Sequence, residues 1–106
     1  MLVVNRFRVP EDEAEAFRAD LEAAHAVLAA RPGFVAGTVG RNLDEPTLWV
    51  LTTRWEHVGA YRRALSSYDV KMGAVRLLAR AIDEASAYEV VEPGTDLNVA
   101  AARSLG

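Results

Sequence analysis

The side chains best suited to chemistry in this chain are an asparagine, a tyrosine, two tryptophans and a histidine, and the asparagine is out of place. In the stretch VVNRFRV, residues 3–9, alternate side chains of a strand share a face. Asn5 therefore points with Val3, Phe7 and Val9, while Arg6 and Arg8 point the other way. A buried carboxamide without partners costs about 1–3 kcal/mol. Asn5 thus either bonds to a neighbouring loop or lines a mostly apolar pocket in which a few polar groups orient a ligand. Trp55 closes a second strand-like run, TLWVLTTRW, and Trp49 stands six residues earlier on the same face. If the two strands are neighbours, Asn5 and Trp55 border one space. Tyr61 lies on the inner stripe of the helical segment that follows, and its hydroxyl needs a partner where it is buried. His25 sits at the edge of an apolar helical stripe, and its charge can change near neutral pH. The candidate catalytic residues are Asn5 as a donor to a substrate oxygen, Trp55 as an aromatic wall, and Tyr61, with His25 from the pocket, as an acid/base or anchoring group. His25, Phe17, Trp49 and Met72 are the candidates for the rest of a substrate pocket.

Other chemistries find little support. The two histidines have no ligand spacing and there are no cysteines, so neither a metal site nor a disulfide is expected. His57, after Glu56, reads as a solvated residue. Gly37 and Gly40 fall inside a strand and do not open a helix, so they are no dinucleotide fingerprint. The net charge is −3 with both signs interspersed, which argues against nucleic acid as a partner. Apolar runs are far shorter than the roughly 20 residues that span a bilayer. The start lacks a positively charged leader followed by an apolar stretch. A cytoplasmic protein without a membrane partner is expected.

The elements that must position these residues follow from periodicity. Residues 2–9 form a first strand. Pro10 and the acidic run Glu11–Glu13 suit the start of a helix, which runs from about 11 to 30 with Ala14, Phe17, Leu21, Ala24 and Leu28 on one stripe. Arg31-Pro32-Gly33 stops it. Phe34 to Leu43 and Thr47 to Trp55 are strands joined by the turn cluster 42–46, and they should pair as an antiparallel hairpin. Val58, Tyr61 and Leu65 carry the next helical stripe. Ser67 or Asp69 caps a further helix to about Ile82, with Val75, Leu78 and Ile82 facing inward. Ala85 to Val91 reads as a fourth strand, and residues 93–106 as a tail. The order β-α-β-β-α-β is the ferredoxin-like pattern, an α+β fold with a four-stranded antiparallel sheet and helices on one face. Right-handed crossovers place the first and third strands side by side in the centre.

One sheet face, with Asn5, Trp49, Leu51 and Trp55, goes to the helices. The opposite face carries Leu2, Val4, Leu48 and Val50 beside Arg6, Arg8, Thr52 and Arg54. It is too apolar for a simply solvated face, so a homodimer through the sheet is expected. With 106 residues and 51% apolar composition the chain suffices for one domain with a thin core, and such burial would add to its stability.

Five stretches in order, NRF (5–7), RPGF (31–34), TTRWE (52–56), AYRRAL (60–65) and SAYEV (86–90), resemble the antibiotic biosynthesis monooxygenase domain family over about residues 1–92. The resemblance implies a ferredoxin-like domain that dimerises into an α+β barrel. One branch of the family oxidises phenolic anthrones to quinones with O2 and without metal or flavin, so no cofactor is expected. In that branch Trp55 matches the tryptophan closing strand three and Tyr61 a tyrosine six residues on. The asparagine carried four residues before that tryptophan is replaced by Leu51. A haem-degrading branch shares the strand-one asparagine at Asn5. Its axial histidine would fall near Ala74 and its helix tryptophan near Ala64, and neither is present. Haem iron needs an axial ligand. The expected function is a cofactor-independent monooxygenase acting on a planar aromatic or quinol-type substrate with O2. A non-catalytic ligand-binding dimer of the same fold is the alternative, and a haem-binding relative the weaker one.

Overall fold

The structure, a computed structural model, describes residues 1–97. Strand β1 (Leu2–Arg8) leads through a 3-10 turn at Glu11–Glu13 into helix α1 (Ala14–Ala29). Strands β2 (Phe34–Arg41) and β3 (Leu48–Trp55) follow, then α2 (Val58–Ser66), α3 (Tyr68–Gly73), α4 (Val75–Leu78) and the short β4 (Ala87–Tyr88). The sheet is antiparallel with strand order β2-β3-β1-β4, so β1 and β3 are the central pair as the crossovers require.

The register follows the side-chain alternation. Asn5 lies opposite Leu51, Val3 opposite Thr53 and Phe7 opposite Trp49, all six on the helix side of the sheet. Slipping either strand by one residue would turn this apolar set to water. Helix α1 closes over the set with Phe17, Leu21, Ala24 and Leu28. The Phe17 ring sits 5.2 Å from Phe7 and 5.7 Å from Trp49. The large apolar side chains among these, Phe7, Phe17, Leu21 and Leu28, each contribute roughly 1.5–3 kcal/mol of hydrophobic stabilisation. The other sheet face carries half-buried Leu2, Val4, Leu48 and Val50, with Arg8 and Arg54 exposed.

Two glycines fix how the strands meet the helices. Gly33 has φ +86°, and a Cβ there would collide with the Ala60 Cβ. The Arg31-Pro32-Gly33 turn thus brings α2 hard against the start of β2, where Glu56 N–H donates to the Gly33 carbonyl at 2.8 Å. Gly37 leaves the space that His25 fills, since a Cβ there would lie 2.5 Å from the His25 Nε2.

The second half of the chain departs from the expected outline. One helix from residue 67 or 69 to Ile82 does not form. Ser67 does cap α3, its Oγ accepting from Val70 N–H at 3.3 Å, but Ala74 leaves helical geometry at φ −137°. The break turns Val70, Ala74 and Leu77 inward and leaves Val75, expected on the inner face, 39% exposed. The cause lies in the sheet. Ile82 N–H donates to the Arg6 carbonyl at 2.8 Å, so the chain must leave the helix before residue 82 to reach the free edge of β1. Val4 N–H donates to Ser86 at 2.7 Å, and the intervening residues arch away from the strand. Regular pairing returns only at Ala87–Tyr88, so the fourth strand is shorter than the expected 85–91. Of the expected tail, 93–106, residues up to 97 are described and the rest lie outside the described residues.

Candidate active site

The arch between Ile82 and Ser86 opens a cleft of about 630 Å³ between the free edge of β1 and the helices. That is within the ~300–1,000 Å³ of small-molecule sites. Val4 and Asn5 contribute from the sheet, Tyr61 and Leu65 from α2, and Val75, Leu78 and Ala79 from α4 and the turn after it. Ala81, Ile82, Asp83, Glu84 and Ser86 form the outer wall.

Asn5 is held here by the strand alternation and is only 8% exposed. Among the described residues no hydrogen bond reaches its carboxamide. The amide of a residue so deeply buried is therefore left to whatever fills the cleft. Tyr61 lies one turn into α2, whose N-terminus is capped by the His57 Nδ1 accepting from Ala60 N–H at 3.1 Å. His57, read as merely solvated, thus has a structural task. Burial pushes the Tyr61 phenol above its ordinary pKa, so at neutral pH it is a neutral hydroxyl. No protein hydrogen bond reaches that hydroxyl among the described residues.

Trp55 does not line the cleft. It stands behind Tyr61, ring centroids 5.6 Å apart, and is gripped edge-on by Phe34 at 5.3 Å. Its Nε1–H donates to the Thr53 hydroxyl at 2.9 Å. Trp55 is thus a rigid backing that fixes the Tyr61 ring, rather than the wall itself. The further pocket candidates are not brought to this cleft either. His25 packs on Phe34 over Gly37, on the β2 side of the molecule. Phe17 is core, and Trp49 lies under the Arg41 guanidinium at 5.3 Å. Met72 is 69% exposed on α3, turned outward by the register of that short helix.

The outer wall was not foreseen. Arg6 reaches from β1 to Glu84 with a bidentate pair, Nε to Oε2 at 2.7 Å and Nη2 to Oε1 at 2.6 Å. The pair ties the arch to the strand. The guanidinium holds the Glu84 carboxyl below its ordinary range, and the carboxylate in turn raises Arg6. Opposite charges at one sheet edge were a signal for this contact, visible in Arg6 and the Asp83-Glu84 pair once residues 82–86 are placed beside β1. Among the described residues no group of three or more His, Cys, Asp or Glu is placed to hold a metal ion. No helix there is long and apolar enough to cross a membrane.

Fold and cleft together define a small ferredoxin-like α+β domain with a ligand-sized opening between sheet and helices. The chain belongs to the antibiotic biosynthesis monooxygenase family, whose model matches residues 1–74. Among solved structures it is similar to SnoaB, a cofactor-independent oxygenase from Streptomyces nogalater, at 29% identity and TM-score 0.70, over 89% of this chain and 96% of that one. An asparagine-to-alanine mutant of SnoaB matches at 33% identity and TM-score 0.65, over 76% and 82% of the two chains. Rv0793 from Mycobacterium tuberculosis shares the fold at 21% identity and TM-score 0.65, over 92% and 97%. A comparison with curated proteins finds no match.

Proposed function

We propose that the protein is a cofactor-independent oxygenase that takes a planar aromatic or quinol-type substrate into the cleft beside Asn5. The observation that carries this reading is Asn5, a residue only 8% exposed whose carboxamide has no protein partner among the described residues and opens on a ligand-sized cleft. Family membership and the likeness to SnoaB support it.

The chemistry asks little of the protein beyond placement. An anthrone-type methylene conjugated to a phenol gives up a proton to solvent at the open side of the cleft, which later returns one to the peroxide, and leaves an electron-rich anion. The anion passes an electron to O2, and the resulting radical and superoxide join in a carbon–oxygen bond. The peroxide takes up a proton and loses water, leaving the carbonyl of a quinone. All the electrons that reduce O2 come from the substrate. Asn5 N–H donates to the substrate oxygen on which the negative charge rests, and the Tyr61 hydroxyl offers a second donor. The apolar walls exclude water from the anion. Trp55 acts through Tyr61 and is a positioning residue.

The half-apolar outer sheet face, with half-buried Leu2, Val4, Leu48 and Val50, supports a homodimer. A non-catalytic ligand-binding dimer is the second reading. It is favoured by the place of His25, whose imidazole lies away from the cleft and leaves it without a histidine.

The test is oxygen uptake by the full chain with a panel of anthrones and hydroquinones. Consumption above the buffer blank is expected for at least one of them, and it should fall in Asn5→Ala and Tyr61→Phe. A rate equal to the blank across the panel, with the ligands nonetheless bound, would overturn the oxygenase reading in favour of the binding protein.

A further inference from the structure

The outer wall of the cleft carries a charge that the proposed reaction does not use. Asp83 and Glu84 both line the opening. Glu84 is neutralised by the bidentate contact with Arg6. Asp83 is exposed and has no ion-pair or hydrogen-bond partner among the described residues. Among those residues no lysine or arginine lines the cleft. Toward the sheet the cleft meets Asn5, a residue 8% exposed whose carboxamide has no protein partner among the described residues. Leu65, Val75, Leu78 and Ile82 make much of the remaining lining apolar. A ligand whose oxygen sits on Asn5, the buried member of the lining, extends toward the exposed side, where Asp83 carries an unpaired carboxylate.

Resting on the reading of the cleft as a ligand site, we propose that it selects uncharged aromatic ligands, with Asp83 rejecting those that carry a carboxylate at the end remote from Asn5. Asp83 is then a specificity-determining residue at the rim. Like charges brought together cost affinity, and a repulsive contact discriminates between ligands as well as an attractive one does. The repulsion acts across a low-dielectric wall, which strengthens it, and at an exposed rim, where salt weakens it.

Three probes of one shape separate the possibilities: 2-naphthol, 6-hydroxy-2-naphthamide and 6-hydroxy-2-naphthoate, titrated into the full chain by calorimetry near neutral pH at low salt. The neutral amide should bind on the order of tenfold more tightly than the carboxylate of the same size. In Asp83→Asn the two should come within about threefold of each other, and high salt should narrow the gap in the unaltered protein. Unchanged affinity for 2-naphthol in the variant would show that its cleft is intact. Equal affinities for amide and carboxylate, or a gap that survives Asp83→Asn, would overturn the proposal. Binding of none of the three would overturn it together with the ligand-site reading. Selective binding without oxygen uptake on any substrate would overturn only the oxygenase reading and leave the selection standing.

Discussion

Replacing Asn5 by leucine sets stability against function at a single position. The carboxamide lies among Val3, Phe7 and, across the ladder, Leu51, and it has no protein partner among the described residues. A polar group buried in this way costs about 1–3 kcal/mol, and contact with water in the cleft places Asn5 toward the lower end. Leucine has nearly the same length, loses no hydrogen bond within the protein and adds apolar surface to the cluster. Asn5→Leu should therefore stabilise the fold by about 1 kcal/mol. For a domain of this size that raises Tm by about 4–8 °C. Thermal melts followed by circular dichroism, at one protein concentration so that any dimer contribution is fixed, provide the measurement. The same change removes the donor to the ligand, worth about 0.5–1.5 kcal/mol, so Kd for 2-naphthol should rise about 2- to 13-fold. A lower Tm in Asn5→Leu would refute the reasoning, since it would mean that the amide is satisfied within the protein.

Other expected outcomes follow from particular contacts. Gly37→Ala places a methyl group 2.5 Å from His25 Nε2 and 2.9 Å from the Phe34 ring, and should destabilise by about 1–3 kcal/mol in urea titrations. Trp55→Phe strips the Thr53 hydroxyl of its partner and loosens the ring behind Tyr61. It should cost about 1–3 kcal/mol of stability and lower turnover more than it weakens binding. Burial holds the Tyr61 phenol above its ordinary pKa of 10.0. The unfolded chain gives up that proton first, so the stabilisation is complete below pH 10.0, declines as pH rises through the raised value, and should lose this decline in Tyr61→Phe. Ultraviolet titration of the phenols should show one of the three tyrosines ionising late. Val50→Arg on the outer sheet face should halve the mass seen by light scattering, and an unchanged mass would count against the sheet-face dimer.

The first half of the molecule was legible because its periods are clean. Alternation in VVNRFRV and TLWVLTTRW decides both the faces and the register, and the stripe Phe17, Leu21, Ala24, Leu28 decides the face of α1. The region from Ser66 to Tyr88 was not legible, because its boundaries are set by tertiary competition. Whether residues 79–82 continue a helix depends on the open edge of β1, and the Arg6 carbonyl takes the Ile82 N–H. No local pattern encodes that choice. The errors at the site have the same origin. Val75 falls on the inner face only if the helix continues past Ala74, where it breaks, and Met72, a pocket candidate, stands 69% exposed on the short α3. Nothing in the local sequence singles out Asp83 and Glu84, which reach the cleft only through the arch. Asn5 and Tyr61 stand out in the sequence because each breaks a pattern, a polar group on an apolar face, and the structure brings both to the cleft.

The most direct test of the account is the side-chain amide resonance of Asn5 in the 15N-labelled protein, assigned by its loss in Asn5→Ala and followed while 2-naphthol is added. The account predicts that the Asn5 NH2 signals shift and saturate with the ligand, while those of Asn42, whose Oδ1 is occupied by Asp44 N–H and Glu45 N–H in a surface turn, stay in place. Saturable binding that leaves the Asn5 signals unmoved would contradict it.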